Sequence, residues 1–164
     1  MTIDRRTALT AGGAGAIGAA LFWFGGRASN AAPSGRYPVQ FTDAQWRKRL
    51  SPESYKVLRQ AATERAGSSP LNKEKRAGTF VCAGCGLPLF ASRAKFESGT
   101  GWPSFTAPLR NAVGTRPDNS LFAERTEVHC RRCGGHLGHV FDDGPKPTGR
   151  RYCMNGAAMR FVAA

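Results

Sequence analysis

The sequence has few acidic side chains, with 11 Asp and Glu against 24 Lys and Arg among its 164 residues, which gives a formal charge of +13. Such an excess could attract nucleic acid through the release of counterions. However, the basic residues are scattered in short runs such as Arg131-Arg132, and no basic stripe alternates with aromatic residues. We therefore interpret the charge as a basic, solvated surface and expect no nucleic-acid partner.

The sequence also lacks a run of about 20 strongly apolar residues, which a membrane-spanning helix needs. The nearest stretch, residues 8–24, is shorter and rich in Gly and Ala, and it follows the pair Arg5-Arg6. This order is typical of a twin-arginine signal peptide, so we predict that residues 1–32 direct export to the periplasm. Contact with the membrane is then expected only during export. An uncleaved anchor that faces the periplasm is the alternative.

No low-complexity segment is visible after this leader, and the remaining length suits one domain. Residues 33–40 are rich in Pro, Gly and Ser and are predicted to be a linker, so the domain is predicted to cover 41–164. Thr42 with Gln45 predicts a capping box at the start of a helix, and Ser51 followed by Pro52 predicts the start of a second helix. Farther along, short apolar runs separated by Gly and Pro indicate antiparallel β-structure.

Cysteine is scarce, and four of the five cysteines form two CxxC pairs: Cys82 with Cys85, and Cys130 with Cys133. Two such pairs supply the four thiolates of a closed, structural zinc site, and we predict bound Zn²⁺ there. Two disulfides or one redox-active CxxC pair are the alternatives. The 44 residues between the pairs exceed the usual spacing of a zinc ribbon, so a stretch of fold must lie between them.

The fifth cysteine, Cys153, has no further cysteine to pair with, and it could be a small buried apolar residue. Its neighbours indicate a catalytic role instead. Arg151 would lie on the same side of a strand and favour the thiolate, and the upstream stretch "HLGHVFDDG" supplies His136, His139 and two Asp residues. A cysteine with His and Asp available is typical of nucleophilic catalysis, so we interpret Cys153 as a nucleophile.

Three stretches, "GTFVCAGCGLPLF", "ESGTGWPSF" and "RTEVHCRRCGGHLGHVFDDGPKPTGRRYCMNGAAMRF", closely resemble the B-type methionine sulfoxide reductases. The resemblance covers residues 41–161. It implies a mainly β fold of two antiparallel sheets, the β-tent, with the N-terminal helices packed outside and the zinc site away from the active centre. It also implies reduction of the R epimer of methionine sulfoxide in oxidised proteins or peptides, which repairs them.

The resemblance also assigns residues to the active site: Cys153, His139, Arg151, Asp143, His136, Asn155 and Trp102. Cys153 would attack the sulfoxide while His139, with Asp143 and water, assists the sulfoxide oxygen. Trp102 would form a flat wall for the methyl group of the substrate; a place in the core is the alternative. Asp143 and Asn155 lie near glycines and could instead shape turns.

One position departs from the family. Many members carry a second, resolving cysteine where this sequence has Thr100, and the chain has no spare cysteine. We therefore expect a monomeric one-cysteine enzyme whose sulfenic acid at Cys153 is reduced by a thioredoxin-like protein or a small thiol. The competing class is a zinc-stabilised binding module in which Cys153 is inert. Turnover of a methionine sulfoxide peptide would distinguish the two.

Overall fold

The computed structural model describes residues 37–120 and 124–164. The predicted signal peptide, residues 1–32, and residues 33–36 of the predicted linker lie outside the described residues. Within the described ranges, no helix is long and apolar enough to cross a membrane.

Two α-helices in the described part open the fold: α1 (Asp43–Arg49) and α2 (Pro52–Gln60). Thr42 accepts a hydrogen bond from the Gln45 backbone, and the Gln45 side chain accepts one from the Thr42 backbone, which confirms the predicted capping box. Ser51 caps α2 by accepting from the Ser54 backbone, and proline occupies the first turn, as predicted.

Nine strands form two antiparallel sheets within the described residues. The strands are β1 (Gly78–Cys82), β2 (Pro88–Ala91), β3 (Lys95–Phe96), β4 (Ser104–Phe105), β5 (Val113–Asp118), β6 (Arg125–Cys130), β7 (His136–Phe141), β8 (Arg151–Met154) and β9 (Met159–Ala163). The three-stranded sheet has the order β2-β1-β9, and the six-stranded sheet has the order β3-β4-β8-β7-β6-β5. The expected mainly β fold of two antiparallel sheets with few helices is confirmed.

Aromatic side chains from both sheets form the centre of the core. Phe80 of β1, Phe90 of β2 and Phe105 of β4 are fully buried, and the rings of Phe90 and Phe105 stack with their centroids 4.3 Å apart. Helix α2 adds Val57 and Leu58 to this cluster and packs against β7. The helix thus covers the edge of the core from outside, and the sheets are held by the burial of large apolar surfaces.

The register of the six-stranded sheet brings two predicted site residues, His139 and Cys153, onto one face together with charged residues of β5 and β6. Arg116 of β5 lies opposite Glu127 of β6, Glu127 lies opposite His139 of β7, and His139 lies opposite Cys153 of β8. Residues that lie opposite each other point to the same face of a sheet. The neighbouring row, which includes Val128, points into the core instead. One face of this sheet is therefore apolar and buried, and the other carries charged groups.

Candidate active site

Cys153 lies within β8, between Ser104 on β4 and His139 on β7. It is half-buried and its thiol is free. The sulfur faces a pocket of about 120 Å³ whose lining includes Trp102, Arg125, His139, Phe141 and Asn155. The structure therefore brings Cys153, His139, Trp102 and Asn155, which the sequence analysis assigned to the site, to one cavity.

Arg151 places a positive charge beside the nucleophile. Its guanidinium donates hydrogen bonds of 2.9 and 2.7 Å to the two carboxylate oxygens of Asp143 and lies 4.5 Å above the centre of the Phe141 ring. The hydrogen bond with Asp143 raises the pKa of Arg151, and the neighbouring Cys153 side chain also raises it. The guanidinium is thus fixed from two sides on the same face of the sheet as the sulfur.

His139 has a different acidic partner from the one that the sequence suggested. Its Nε2 atom lies 2.7 Å from Oδ2 of Asp118, and the same oxygen accepts a hydrogen bond of 2.7 Å from Arg125. Burial lowers the pKa of His139, whereas the hydrogen bond with Asp118 acts to raise it. Asp143, which was expected to work with His139, is exposed and pairs with Arg151 instead.

His136 lies behind His139 rather than in the lining of the pocket. Its Nδ1 atom lies 2.8 Å from the carboxylate of Glu127, which also pairs with Arg116, and its ring packs edge-on against His139 with centroids 5.3 Å apart. Burial acts to raise the pKa of Glu127. The hydrogen bond and charge of His136, together with the charge of Arg116, act in the opposite direction and hold the pKa of Glu127 below its usual value. His136 is therefore placed as the companion of His139.

Asn155 connects the pocket to the segment that follows α2. Its side-chain NH₂ group donates a hydrogen bond of 3.1 Å to the Leu137 carbonyl. Its side-chain oxygen accepts a hydrogen bond of 2.9 Å from the backbone N–H of Glu64. The buried carboxylate of Glu64 accepts hydrogen bonds of 2.7 Å from the backbone N–H groups of both Gly156 and Ala157. Burial raises the pKa of Glu64. Asn155 thus does more than shape a turn, because it fixes the chain directly beyond Cys153.

Trp102 and Thr100 come from the loop before β4. The indole N–H of Trp102 donates a hydrogen bond of 3.2 Å to the Glu64 carbonyl. This bond orients the half-buried ring along the pocket. The hydroxyl oxygen of Thr100 lies 3.8 Å from the sulfur of Cys153 and 2.9 Å from the hydroxyl of Ser98. The position that holds a resolving cysteine in many family members is therefore next to the nucleophile here.

The four remaining cysteines form a separate cluster. The sulfurs of Cys82, Cys85, Cys130 and Cys133 all lie within 4.8 Å of one another and are free of disulfides. The sulfurs of Cys82 and Cys133 are 3.7 Å apart, and those of Cys85 and Cys130 are 3.5 Å apart. Sulfurs at the corners of a tetrahedron around zinc, each about 2.3 Å from the ion, would be roughly 3.8 Å apart. The predicted four-sulfur site for a structural metal is therefore present.

Comparison with known protein families agrees with this geometry. Residues 50–163 match the model of the SelR domain. The chain belongs to the SelR family. This match includes the pocket, the nucleophile and all four clustered cysteines, so the SelR domain comprises both sites.

Curated relatives of this SelR domain are identical to it at about half of the aligned positions. The peptide methionine sulfoxide reductase MsrB of Leptospira interrogans is 52% identical over 126 residues, which cover 76% of this chain and 96% of the relative. The enzyme of the same name from Bradyrhizobium diazoefficiens is 57% identical over 120 residues, or 73% of this chain and 86% of the relative. The chloroplastic peptide methionine sulfoxide reductase B1 of Arabidopsis thaliana is 50% identical over 126 residues, or 76% of this chain and 62% of the relative.

Sequence reasoning missed Glu64, which binds the backbone beyond Asn155, and four charged residues of the SelR domain that surround the histidines: Arg116, Asp118, Arg125 and Glu127. A signal for some of them was present. Arg116 and Asp118 alternate along one strand, and Arg125 and Glu127 alternate along the next, so each pair points to a single face. Charged residues that alternate in this way on neighbouring strands indicate a polar face, although they do not reveal which histidine each acid meets.

Proposed function

We propose that the protein is a peptide-methionine (R)-S-oxide reductase that reduces methionine sulfoxide in oxidised proteins and peptides and thereby repairs them. The observation that carries this proposal is the pocket in which Cys153 lies opposite His139, with Trp102 and Phe141 as its apolar walls. Membership of the SelR family and the names of the relatives support the same activity.

In the proposed reaction, the thiolate of Cys153 takes the oxygen of the sulfoxide. The bond between the substrate sulfur and its oxygen breaks, an oxygen bond to the cysteine sulfur forms, and the oxygen gains one proton. The products are a methionine thioether, reduced by two electrons, and a sulfenic acid at Cys153, oxidised by two electrons. Arg151 places a positive charge beside the attacking sulfur, and His139 delivers the proton, directly or through water.

The shape of the pocket accounts for the choice of substrate. A cavity of about 120 Å³ has room for the end of a methionine sulfoxide side chain but not for a folded segment. The flat ring of Trp102 suits the methyl group, while the sulfoxide oxygen must point to His139. Because both conditions must be met as the sulfur faces Cys153, only one epimer fits, and the peptide backbone stays outside.

The sulfenic acid is proposed to be reduced by an external thiol. Two thiols, from a thioredoxin-like protein or a small-molecule thiol, return Cys153 to its thiol form and leave one disulfide and one water. The other four cysteines are held in the sulfur cluster, and Thr100 stands nearest to the nucleophile with a hydroxyl in place of a thiol. We therefore propose a one-cysteine cycle.

The sulfur cluster is proposed to bind Zn²⁺ through Cys82, Cys85, Cys130 and Cys133. Four thiolates at tetrahedral distances are the donor set of a closed structural zinc site, which leaves no open position for a substrate. Three of the four cysteines are buried, which limits exchange of the ligands with solvent. Bound zinc would supply stability to the domain, and Cys153 is outside this cluster.

We also propose that residues 1–32 are a twin-arginine signal peptide and that the protein acts in the periplasm. The twin-arginine route carries folded proteins, so the metal could bind in the reducing cytoplasm before export. Replacing both Arg5 and Arg6 by Lys is expected to keep the protein in the cytoplasmic fraction. Recovery of an uncleaved chain in washed membranes would instead support the anchored alternative.

Turnover of a racemic methionine sulfoxide peptide with dithiothreitol tests the enzyme function. We expect about half of the substrate to be consumed, with the R epimer lost and the S epimer retained, and no turnover by Cys153→Ser. Asp142→Asn, which changes an exposed acid outside the pocket, serves as the matched control and should be fully active. A folded, metal-loaded protein that leaves both epimers untouched would support the binding-module alternative instead.

A further inference from the structure

Asp118 is a carboxylate that the sequence analysis did not assign to the site, yet it contacts the pocket histidine. It is the last residue of β5 and lies opposite Arg125 on β6, whereas His139 lies opposite Glu127 on the same strand. The contact between Asp118 and His139 therefore runs diagonally across three strands. Its length of 2.7 Å is that of a full hydrogen bond, and the two side chains are only 19% and 10% exposed.

We propose that Asp118, held in place by Arg125, is the positioning residue that fixes the ring of His139 and favours its imidazolium form during sulfoxide reduction. This inference rests on the proposed reductase function and assigns a new residue to it. Asp118 acts through His139 and does not itself need to touch the substrate.

The hydrogen bond with Asp118 determines which nitrogen of the His139 ring carries a proton. A carboxylate oxygen only accepts hydrogen bonds, so the Nε2 atom of His139 that faces Asp118 must carry a proton. In a neutral ring, the other nitrogen then has no proton to give. His139 can therefore donate a proton to a sulfoxide oxygen only as the imidazolium, and the negative charge of Asp118 stabilises that form.

The other charged groups around His139 do not replace this carboxylate. They lie on three strands and the turn beyond them: Arg125, Glu127, His136, Arg151 and Asp143. Burial lowers the pKa of His139 and the charges of Arg125 and His136 lower it further, whereas Asp118 raises it. Glu127 is engaged by His136 and Arg116, and Arg151 is paired with Asp143. Asp118 is thus the acid that contacts His139 directly.

The reduction of the sulfoxide consumes one proton, which His139 supplies. As the thiolate of Cys153 takes the sulfoxide oxygen, the imidazolium of His139 gives the proton of its other nitrogen to that oxygen. The ring ends neutral, with the proton on Nε2 still hydrogen-bonded to Asp118, and the products are the thioether and the sulfenic acid. Solvent then returns one proton to the ring before the next turnover.

Nitrogen-15 NMR titration of His139 in the resting, metal-loaded protein tests the inference without any turnover. Asp118→Asn keeps an acceptor atom but removes the charge, so the titration midpoint of His139 should move to lower pH. Asp118→Glu should restore a midpoint near that of the original protein, and Asp142→Asn should leave it unchanged.

Single-turnover formation of the sulfenic acid, trapped with dimedone across the pH range, links the titration to the reaction. In Asp118→Asn the rate at pH 7 should fall about tenfold or more relative to the original protein. The ratio of the two rates should approach one as the pH is lowered, because protonation of the Cys153 thiolate slows both proteins alike. A loss of equal size at every pH would show a purely structural role and overturn the inference.

An unchanged His139 midpoint in Asp118→Asn would also overturn the inference, even in an active reductase. Conversely, the expected midpoint shifts in a protein that never reduces sulfoxides would contradict the proposed function rather than the pairing of Asp118 with His139. If Asp118→Asn does not fold, the nitrogen-15 shifts of the neutral His139 ring in the original protein decide the inference: a proton on Nε2 supports the pairing with Asp118, and a proton on Nδ1 alone overturns it.

Discussion

At the residue scale, Cys153 is held on both sides by backbone pairing, opposite Ser104 on β4 and His139 on β7. A sulfur in such a position cannot swing toward a distant partner. Any group that reduces its sulfenic acid must therefore come to it. The Thr100 hydroxyl, 3.8 Å away, already occupies the place from which a second thiol would act.

Thr100→Cys is predicted to convert the one-cysteine cycle into a two-cysteine cycle. After one equivalent of substrate, the sulfenic acid at Cys153 should condense with the new thiol to give a disulfide and water, provided that the two Cα atoms lie within about 7 Å. Mass spectrometry should show a loss of two hydrogens relative to the reduced variant, and turnover supported by thioredoxin should rise.

Thr100→Ser is the matched control, because it keeps the hydroxyl and should still leave a sulfenic acid that dimedone traps. A disulfide between Cys153 and a cysteine of the sulfur cluster in the original protein would contradict the one-cysteine cycle. Failure of Thr100→Cys to form any disulfide would show that the loop before β4 holds the two positions too far apart.

Part of the site could be predicted because the residues that form it lie close together in the sequence. Arg151 and Cys153 are two residues apart on one strand, so they share a face whatever the rest of the sheet does. The partner of His139 could not be predicted in this way. Asp143 is nearer in sequence but pairs with Arg151 at the surface, whereas Asp118 reaches His139 because β5, β6 and β7 lie side by side.

At the scale of elements, β7 and β8 approach so closely that one position requires glycine. A Cβ atom on Gly138 would lie 2.1 Å from the carbonyl oxygen of Cys153 and 2.9 Å from the Cα atom of Met154. Both distances are shorter than non-bonded atoms tolerate. The missing side chain is therefore what allows β7 to place His139 opposite the nucleophile.

Gly138→Ala is predicted to push the two strands apart, with a cost of about 1–3 kcal/mol in the free energy of unfolding and a large loss of sulfenic acid formation. Denaturant unfolding and dimedone trapping measure the two effects. Gly149→Ala is the control in the following turn, where the backbone has a left-handed φ of 68° but the space is open. It should cost about 1 kcal/mol and keep the activity. Full activity in Gly138→Ala would refute this view of the strand pair.

The carboxylate of Glu127 ties three strands together through Arg116 on β5 and His136 on β7. Its pKa is held below the usual value in the folded protein, so its stabilising effect is present above the unfolded value of about 4.3 and is lost as the pH falls below it. Glu127→Gln should therefore cost about 1–3 kcal/mol at pH 7 and less at pH 4.

Thermal unfolding of both proteins at the two pH values measures this difference. Because acid weakens a metal-thiolate site, metal analysis must show that both proteins keep the ion at pH 4, and the comparison then isolates the carboxylate. Glu53→Gln, which changes an exposed acid in the first turn of α2, is the control and should show a much smaller change. An equal loss of stability in Glu127→Gln at both pH values would show that the ion pairs do not determine how much Glu127 stabilises the fold.

At the scale of the whole molecule, the sulfur cluster joins the two sheets. Cys82 ends β1 of the three-stranded sheet, and Cys130 ends β6 of the six-stranded sheet. Removal of the metal would leave four thiols with no bond between them, and the domain would lose this cross-link between its two sheets.

Chelation of the metal is therefore predicted to unfold the domain rather than only to slow the reaction. Metal analysis, near-ultraviolet circular dichroism and thermal unfolding should change together, with one Zn²⁺ per chain before chelation. Cys85→Ser should behave like the chelated protein, whereas Cys153→Ser should keep both metal and stability. Purified protein that lacks metal and holds Cys82–Cys85 and Cys130–Cys133 disulfides would contradict the prediction.

The architecture as a whole was predictable only through resemblance to a family. The helix starts follow from local capping at Thr42 and Ser51, and strands could be expected from composition. The order of the strands could not, because β8 enters between β4 and β7 and β9 returns to β1. Such pairings connect residues far apart in sequence, and no local pattern specifies them.

The return of β9 to β1 also has a consequence for how the protein is made. While the ribosome synthesises the chain, β1 has emerged with β2 on one edge and nothing on the other, and the six-stranded sheet has a gap until β8 follows. The six-stranded sheet can be completed once residues 151–154 have left the exit tunnel, but the three-stranded sheet must wait for residues 159–163. Under the proposed export of a folded protein, emergence of this last strand, rather than of the signal peptide, would set the earliest moment at which a nascent molecule is ready for translocation.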